Sequence, residues 1–327
     1  MMSRPVAQKI RSLAAILLAA AIGHAFAADA PADEAETPLV TSPYTTVDAA
    51  HERVSGAVEG MAKNVDRFFA DERSFQESNE TALQIRFDTT ARESGEFEFT
   101  SRVRAKWVFP HMQKKLRLVL ESDPREAGTD SPEDDPLAAV DSASDYTLGL
   151  ERLFETSDWE VRPSVGLRFD TPLDPYARLR AIRYFDLGPW LSRVSGTASW
   201  FNSDGVSLSA NVDFDRPLDE NLLFRSATGS LWEHDPDTVS LSQMFTVYQQ
   251  LASSAKLAYD LGATFDNDPD WQSTDYFVRL RYRRLIYKSW AYLEVQPKVS
   301  WPEDNDYRED LSLLVRLEVN FGRGYLQ

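Results

Sequence analysis

The amino-acid sequence predicts an all-β fold, a transmembrane antiparallel up-and-down β-barrel of about fourteen strands, preceded by a short N-terminal helix. Three observations support this prediction: an export signal, strands that alternate apolar and polar residues over the width of a bilayer, and connections that alternate between long loops and short turns. A miscounted hairpin would give about twelve or sixteen strands without changing this pattern.

The segment 1–27 has the three parts of a signal peptide. Basic residues at positions 4, 9 and 11 precede an apolar run over 13–22, and Ala25-Phe26-Ala27 forms an A-x-A cleavage site. The apolar run is too short to span a bilayer stably as a helix. We therefore predict that the chain is exported and that the mature protein begins near Ala28.

The composition excludes nucleic acid as an expected partner. The full chain has a formal net charge of −17, and removal of the three bases of the signal peptide lowers this charge to −20. Binding to phosphate backbones needs a basic surface, which a chain of this charge does not favour. The sequence also contains no cysteine, so disulfide bonds and thiol chemistry are excluded.

Two segments precede the barrel. Residues 28–44 are rich in Ala, Pro, Glu and Asp and predict a disordered linker. Residues 45–73 predict an amphipathic helix, because apolar residues recur mostly three and four positions apart: Val47, Val54, Val58, Met61, Val65 and Phe68. Three placements stay open for this helix, namely packing on its own domain, a periplasmic coiled coil, or a plug inside the barrel.

The segment 80–322 is the predicted barrel, because the apolar period changes there from about 3.6 to 2. In its last strand Leu311 and every second residue to Phe321 are apolar, whereas the residues between them are mostly polar. Such alternating runs are long enough for a tilted strand to cross a bilayer. The predicted strands are 81–92, 96–109, 115–122, 145–155, 159–170, 175–186, 190–202, 205–215, 221–232, 238–249, 254–265, 275–287, 290–301 and 309–321.

The connections between these strands alternate in type. One set contains every long loop and most of the acidic residues, including 123–144, 266–274 and 302–308. The other set contains only short turns, such as Leu187-Gly188-Pro189 and Lys288-Ser289. Outer-membrane barrels place the short turns in the periplasm and the long loops outside. We therefore predict the outer membrane of a Gram-negative bacterium, with both termini in the periplasm.

The inward positions of the predicted strands carry more basic than acidic residues. Eight of them are predicted to line the lumen and set its selectivity: Arg102, Arg104, Lys106, Arg178, Arg180, Arg279, Arg281 and Arg283. One interpretation is an anion-preferring pore, and the alternative is a ladder of cross-strand ion pairs that braces the wall. The run Arg279-x-Arg281-x-Arg283 needs acids or anions opposite it, because guanidinium groups on one strand face repel each other.

One predicted outer loop holds a weak candidate for a metal site. Asp266, Asp268 and Asp270 have the D-x-D-x-D spacing that begins a calcium loop. Trp271 and Phe277, however, stand where such a loop has Gly and Glu. A solvated acidic surface is one alternative, and loose bridging of divalent cations to lipopolysaccharide phosphates is another. No other cofactor is expected.

An enzymatic role is not expected. The sequence contains neither a G-x-S-x-G nor an H-E-x-x-H motif. His234 lies between Glu233 and Asp235, and an Asp–His pair at the rim could activate water. Side chains that are adjacent in sequence on a strand point to opposite faces, which argues against a working pair.

Two features resemble known outer-membrane proteins. The C-terminal strand that ends at Phe321 resembles the assembly signal that barrel-insertion machinery recognises, although Gly322–Gln327 follow it here. The segments LRLVLESD (116–123) and LEVQPKVSW (293–301) resemble an uncharacterised group of proteobacterial outer-membrane β-barrel proteins. That resemblance covers the barrel and implies an outer-membrane location, but it brings no activity and no catalytic residue.

The sequence leaves three functions, in order. The first is passage of small polar solutes, anions among them, through an arginine-rich lumen. The second is a non-conducting structural or assembly barrel whose lumen is closed by ion pairs or by the 45–73 helix. The third is an enzyme at the outer rim. The predicted partners are outer-membrane lipid, lipopolysaccharide and the barrel-insertion machinery.

Overall fold

The computed structural model describes residues 59–69, 81–109, 116–122, 146–156, 158–234 and 237–322. The predicted signal peptide, the linker, both ends of the predicted helix and the long loop 123–144 lie outside these residues. Residues 59–69 form one α-helix, α1, and Glu303–Asn305 form a 3-10 turn. Within the described ranges, no helix is both long enough and apolar enough to cross a membrane.

The other elements are strands, and they account for every strand that the sequence predicts. Their bounds are β1 (Ala82–Arg92), β2 (Phe97–Val108), β3 (Leu116–Ser122), β4 (Tyr146–Arg152), β5 (Phe154–Glu155), β6 (Glu160–Arg168), β7 (Asp174–Asp186), β8 (Leu191–Phe201), β9 (Gly205–Asp219), β10 (Leu222–Glu233), β11 (Thr238–Ala252), β12 (Ala255–Asp266), β13 (Gln272–Tyr287), β14 (Ala291–Ser300) and β15 (Asp310–Gly322). β4 and β5 are two parts of one barrel strand, because β6 pairs with both. The described chain therefore forms a closed antiparallel barrel of fourteen strands, as predicted.

The sheet closes through its first and last strands. Consecutive strands pair antiparallel, and the β1–β15 ladder runs from the pair Ala82–Gly322 to the pair Arg92–Ser312. Closure lets the backbone N–H and C=O groups bond between strands, which hydrocarbon requires because it offers no other partner. The predicted up-and-down barrel is confirmed.

Some strands are longer than the sequence indicated. β9 continues to Asp219 and β11 to Ala252, so the turns that follow them contain only two residues. β13 begins at Gln272 instead of at 275. These extensions mix polar and apolar residues without a regular alternation, because strand ends that lie outside the hydrocarbon need no apolar face. The alternation of apolar residues is therefore lost before the strand itself ends.

The two faces of the barrel reverse the pattern of a soluble protein. Outward side chains are apolar and exposed, such as Phe99 (68%), Trp107 (66%) and Leu261 (56%). Arginines are prominent among the largest fully buried side chains, with Arg283 and Arg316 no more than 1% exposed. An apolar exterior around a charged interior is the signature of a transmembrane β-barrel.

Candidate functional site

Helix α1 lies against the inner face of β10–β14, which we call the helix wall. Phe68 meets Tyr292 edge to face with ring centroids 5.6 Å apart, and the ring of Phe69 lies 5.4 Å from that of Tyr248. Val65 is buried in the same cluster. The apolar stripe that the sequence predicted at Val65 and Phe68 is therefore the surface that contacts the barrel.

Two polar residue pairs, Arg225–Asp66 and Lys256–Asn64, hold α1 on this wall, and we call them the helix latch. Arg225 Nη1 donates to Asp66 Oδ1 at 2.7 Å, and Lys256 Nζ donates to Asn64 Oδ1 at 2.8 Å. Arg225 also donates to both carboxylate oxygens of Asp215, from Nε at 2.6 Å and from Nη2 at 2.9 Å. These charged groups are buried, so each depends on its partners for stability.

The arginine run of β13 also belongs to the helix wall, and acids lie opposite it. Asp260 Oδ2 accepts hydrogen bonds from Arg279 Nε at 2.9 Å and from Arg281 Nε at 2.8 Å. Glu318 accepts a hydrogen bond from Arg283 Nη2 at 2.7 Å. Protein carboxylates thus supply the negative charge that this run was predicted to need. On β13 the geometry favours the bracing interpretation over a pore lining.

Aromatic rings cover two of these arginines. The guanidinium of Arg281 lies 5.0 Å from the ring centroid of Phe69, and that of Arg283 lies 4.5 Å from the ring centroid of Tyr292. Cations at this distance from a ring face are attracted by its quadrupole. The run is therefore part of the surface on which the helix rests.

Ion pairs also cross the seam between β1 and β15. Arg86 Nε lies 3.0 Å from Glu318 Oε2, and Arg316 Nε lies 2.8 Å from Asp88 Oδ1. All four side chains are buried and point into the lumen. The two pairs run in opposite directions across the seam, so neither strand carries an excess of charge at this point.

Sequence reasoning missed Arg193, Asp215 and Arg225, which are also buried charged residues of the barrel strands. Arg193 pairs with inward Asp213 at 3.4 Å. Arg225 could have been assigned by its parity with the other inward residues of β10, but serine and threonine at outward positions weaken the alternation there. The outward polar groups satisfy one another, as when Thr228 Oγ1 donates to the Gln243 side chain at 2.6 Å.

A second region of the lumen lies on β2–β7, and we call it the cationic cleft. Its charged lining residues, among those that the structure describes, are Lys106, Arg117, Arg162, Arg178, Arg180, Glu121 and Glu151. Arg117 Nε donates to Glu151 at 2.6 Å, and Arg178 Nη1 lies 3.8 Å from Glu121. The structure thus brings together Lys106, Arg178 and Arg180 from the predicted lumen residues.

Two glycines shape the wall of the cationic cleft. Gly149 and Gly166 are paired across β4 and β6, and the ring of Tyr176 lies close over them. A Cβ atom on Gly166 would lie 2.6 Å from Tyr176 Cε1, closer than such atoms approach. Glycine inside a strand permits this close approach, and the tyrosine ring fills the space that side chains would take.

A third region lies nearer the long-loop end of the lumen. Arg102 and Arg279 line it together with Lys298, Asp88 and Glu98, around a cavity of about 80 Å³. Lys298 Nζ donates to a carboxylate oxygen of Asp275 at 3.1 Å. The predicted lumen residues are therefore distributed over several places instead of forming one constriction. Arg104 lies buried on β2 between the level of Arg102 and that of Lys106.

The three acids of the candidate metal site do not converge. No group of three His, Cys, Asp or Glu side chains among the described residues could hold a metal ion. Asp266 Oδ1 instead accepts a hydrogen bond from the backbone N–H of Asp268 at 3.3 Å, which stabilises the loop locally. The prediction of a calcium loop at Asp266, Asp268 and Asp270 is thus not supported by the geometry, whereas loose divalent bridging stays a prediction.

His234 lies at the rim near the end of β10. It is exposed, and its ring centroid is 6.0 Å from that of Trp232. Trp232 Nε1 donates to Asp237 at 2.8 Å, and Asp235 lies outside the described residues. The expectation that the protein is not an enzyme stays a prediction.

No protein-family model matches the sequence, and no curated protein matches it. The fold is similar to that of solved outer-membrane proteins. OmpTdeltaL8, a loop-deletion mutant of OmpT of Vibrio cholerae, has 11% identity and a TM-score of 0.47, with 74% of this chain and 98% of that chain covered. The channel DcaP of Acinetobacter baumannii has 7% identity and a TM-score of 0.47, with 74% and 96% covered. KdgM porin has 7% identity and a TM-score of 0.34, with 73% and 99% covered.

Proposed function

We propose that this protein is an outer-membrane channel for small polar solutes that is narrowed at its short-turn end by helix α1. The observation that supports it is the charged interior of a fourteen-stranded barrel with α1 docked on one wall. Barrels of about eight strands are just filled by their side chains, whereas barrels of about sixteen strands leave an aqueous channel. Fourteen strands favour a passage beside the helix.

We infer the location and orientation from the faces and ends of the barrel. The apolar exterior suits a bilayer, and strand-based spans are typical of the outer membrane. Ala82 and Gly322 lie at the same end of the β1–β15 ladder, together with the short turns, and we assign this end to the periplasm. The acidic loops then face lipopolysaccharide, where loose bridging by divalent cations is proposed.

We infer further that the preferred solutes are anions. The support for this preference is the cationic cleft, where bases outnumber acids among the described lining residues. Charged side chains along a narrow passage set its ion selectivity. The helix wall does not support this preference, because Asp260 and Glu318 bind its arginines.

A non-conducting structural barrel is the second candidate. Its support is the number of lumen arginines that bind protein carboxylates, together with the helix that rests on the same wall. In this alternative α1 and the ion pairs close the lumen permanently. The two candidates differ in one measurable property, which is the electrical conductance of the barrel.

Planar-bilayer recording of the full-length protein tests the channel. We expect ohmic single-channel current, and we expect Asp66→Asn combined with Asn64→Ala to raise the conductance or the open fraction, because both contacts of the helix latch are weakened. Glu155→Gln combined with Asp158→Asn is the matched control, since it alters two exposed groups at the same end on the side of the barrel away from the helix wall. Silence of the wild type and of both variants would reject the channel in favour of the non-conducting barrel.

A further inference from the structure

We propose that the cationic cleft is a binding site for one small oxyanion group, a carboxylate or a phosphate, and that anions pass α1 along this wall. The passage depends on the channel function proposed above, whereas binding at the cleft does not.

The cationic cleft faces the helix wall across the lumen. In the closed sheet, β2–β7 and β10–β14 are separated by β8 and β9 on one side and by β15 and β1 on the other. Both regions reach the short-turn end, because Lys106 pairs with Ala82 at the start of β1 and Lys256 lies at the start of β12. The wall opposite α1 at this depth is therefore the cationic cleft.

Positive charge dominates the described lining of the cleft. Five bases line the cleft with two acids, and three carboxylates pair with its guanidinium groups: Glu151 with Arg117, Glu121 with Arg178, and Glu160, beside the lining, with Arg162. Bases therefore still outnumber acids in this region, five to three. Lys106 is itself only 2% exposed. A cleft with walls of low dielectric constant and one dominant sign of charge concentrates ions of the opposite sign. The complementary ligand is therefore an anion.

The donor groups favour an oxyanion. Guanidinium groups present N–H donors in a planar fork that matches the two oxygens of a carboxylate or phosphate. The hydroxyls of Thr147, Ser164 and Tyr176 also line the cleft and can donate to such oxygens. The cavity volume is about 20 Å³, which is enough for about one water-sized group. One oxygen of a carboxylate or phosphate fits this space, and the rest of the solute would extend into the lumen.

The helix wall provides the contrast. There the three inward guanidinium groups of β13 face three carboxylates, those of Asp260, Glu294 and Glu318, so that bases and acids balance. A wall with balanced charges attracts a solute anion less than a wall with an excess of bases. We therefore assign selectivity to β2 and β7, and we assign a structural role to the arginine run of β13.

The test uses the full-length protein and two double variants. Lys106→Gln with Arg180→Gln removes two positive charges from the cleft. Arg216→Gln with Lys288→Gln removes two exposed positive charges at the same end, outside the lumen. Reversal potentials in a KCl gradient give the chloride-to-potassium permeability ratio, and added inorganic phosphate or acetate tests for block of the chloride current.

We expect the wild type and the control to prefer chloride and to be blocked by at least one of the two added anions. The cleft variant should lose about fivefold or more of the permeability ratio and should lose the block. Block by acetate alone would identify a carboxylate site, and block by phosphate alone a phosphate site. An unchanged ratio and block in the cleft variant would overturn the proposal.

A separate binding measurement distinguishes failure of the site from failure of the channel. If none of the proteins conducts, equilibrium dialysis of radiolabelled phosphate and acetate against detergent-solubilised protein tests whether the cationic cleft binds an anion. Saturable binding that is weakened in the cleft variant and retained in the control keeps the site, although the channel function then fails. The wild type's failure to bind either anion rejects the site, whatever the conductance.

Discussion

At the scale of single residues, Arg225 connects the helix to the barrel. Its guanidinium binds Asp215 on β9 and Asp66 on α1, and all three groups are buried. We predict that Arg225→Met lowers the free energy of unfolding by about 3–5 kcal/mol, because two buried carboxylates lose their partner. Urea unfolding in detergent micelles, followed by tryptophan fluorescence, measures this loss.

Two further variants control this prediction. Arg284→Met removes an exposed arginine from β13 and should change the free energy of unfolding by no more than about 0.5 kcal/mol. Adding Asp215→Asn and Asp66→Asn to Arg225→Met should recover most of the loss, since no buried charge then remains unpaired. A single variant as stable as the wild type would show that water reaches these carboxylates.

Gly166 is the second residue on which a prediction rests. We predict that Gly166→Ala lowers the free energy of unfolding by about 1–3 kcal/mol, because the new methyl group would overlap the ring of Tyr176 and backbone atoms of β4. Gly196→Ala in β8 is the matched control, as its nearest neighbour would lie at an ordinary 3.7 Å. Equal losses in both variants would contradict the proposed role of the tyrosine ring.

The sequence predicts which residues point inward better than it predicts their partners. Period-two parity is a local property, so it placed Arg279 and Arg281 on the inner face. Their common partner depends on the register between β12 and β13, which sets Asp260 opposite Arg279. The register of a hairpin follows from its turn type and loop length. The sequence placed the start of β13 at 275 and the structure has it at Gln272, so the pairing could not be read from the predicted loop.

At the scale of elements, the sequence likewise predicts the local pattern of α1 but not the surface that α1 contacts. Its stripe of apolar residues was predicted from spacing alone, whereas its position against β10–β14 was left open among three placements. The contact between Asp66 and Arg225 joins residues 159 positions apart, and Arg225 lies on the strand where outward serine and threonine weaken the pattern. The latch was therefore not predictable from either segment alone.

We predict that the higher conductance expected of the helix-latch variant requires α1 to move away from the helix wall. The chain contains no cysteine, so Asn64→Cys with Lys256→Cys gives one defined pair at the helix latch. Bridging the pair with a bifunctional methanethiosulfonate reagent, which forms a disulfide with each cysteine and releases methanesulfinate, should hold the channel in its low-conductance state, and a reducing agent should release it. Single-cysteine variants control for the reagent, and an unchanged current after bridging would show that transport does not need helix movement.

At the scale of the whole molecule, the long loops are acidic, and we ask whether the thermal stability of the barrel depends on a divalent cation. Since no described group of three acids could hold a metal, we predict that EDTA changes the melting temperature in lipopolysaccharide-free detergent by less than about 2 °C. Differential scanning calorimetry with and without EDTA measures this. A larger decrease in the melting temperature would instead support a calcium loop, provided that calcium reverses the decrease and that Asp266→Asn with Asp268→Asn abolishes it.

The overall architecture was predictable because several patterns agree. Alternation defined the strands, loop length defined the two ends, and an even number of strands followed from both. The contents of the lumen were less predictable, because a base-rich set of inward residues is compatible with an open passage and with a braced wall. The balance of charge separates the two regions: the three inward arginines of β13 face Asp260, Glu294 and Glu318, whereas the described lining of the cationic cleft has more bases than acids.

The seam between β1 and β15 has a consequence for synthesis. It joins residues such as Arg86 and Glu318 that are 232 positions apart, so the barrel cannot close until the ribosome has made the chain through β15. Contacts of such long range also make closure a late and slow step. A chain truncated before β15 would leave one edge of β1 and one edge of β14 without a partner strand, instead of forming a smaller barrel. Only a chain that includes β15 can therefore close the barrel.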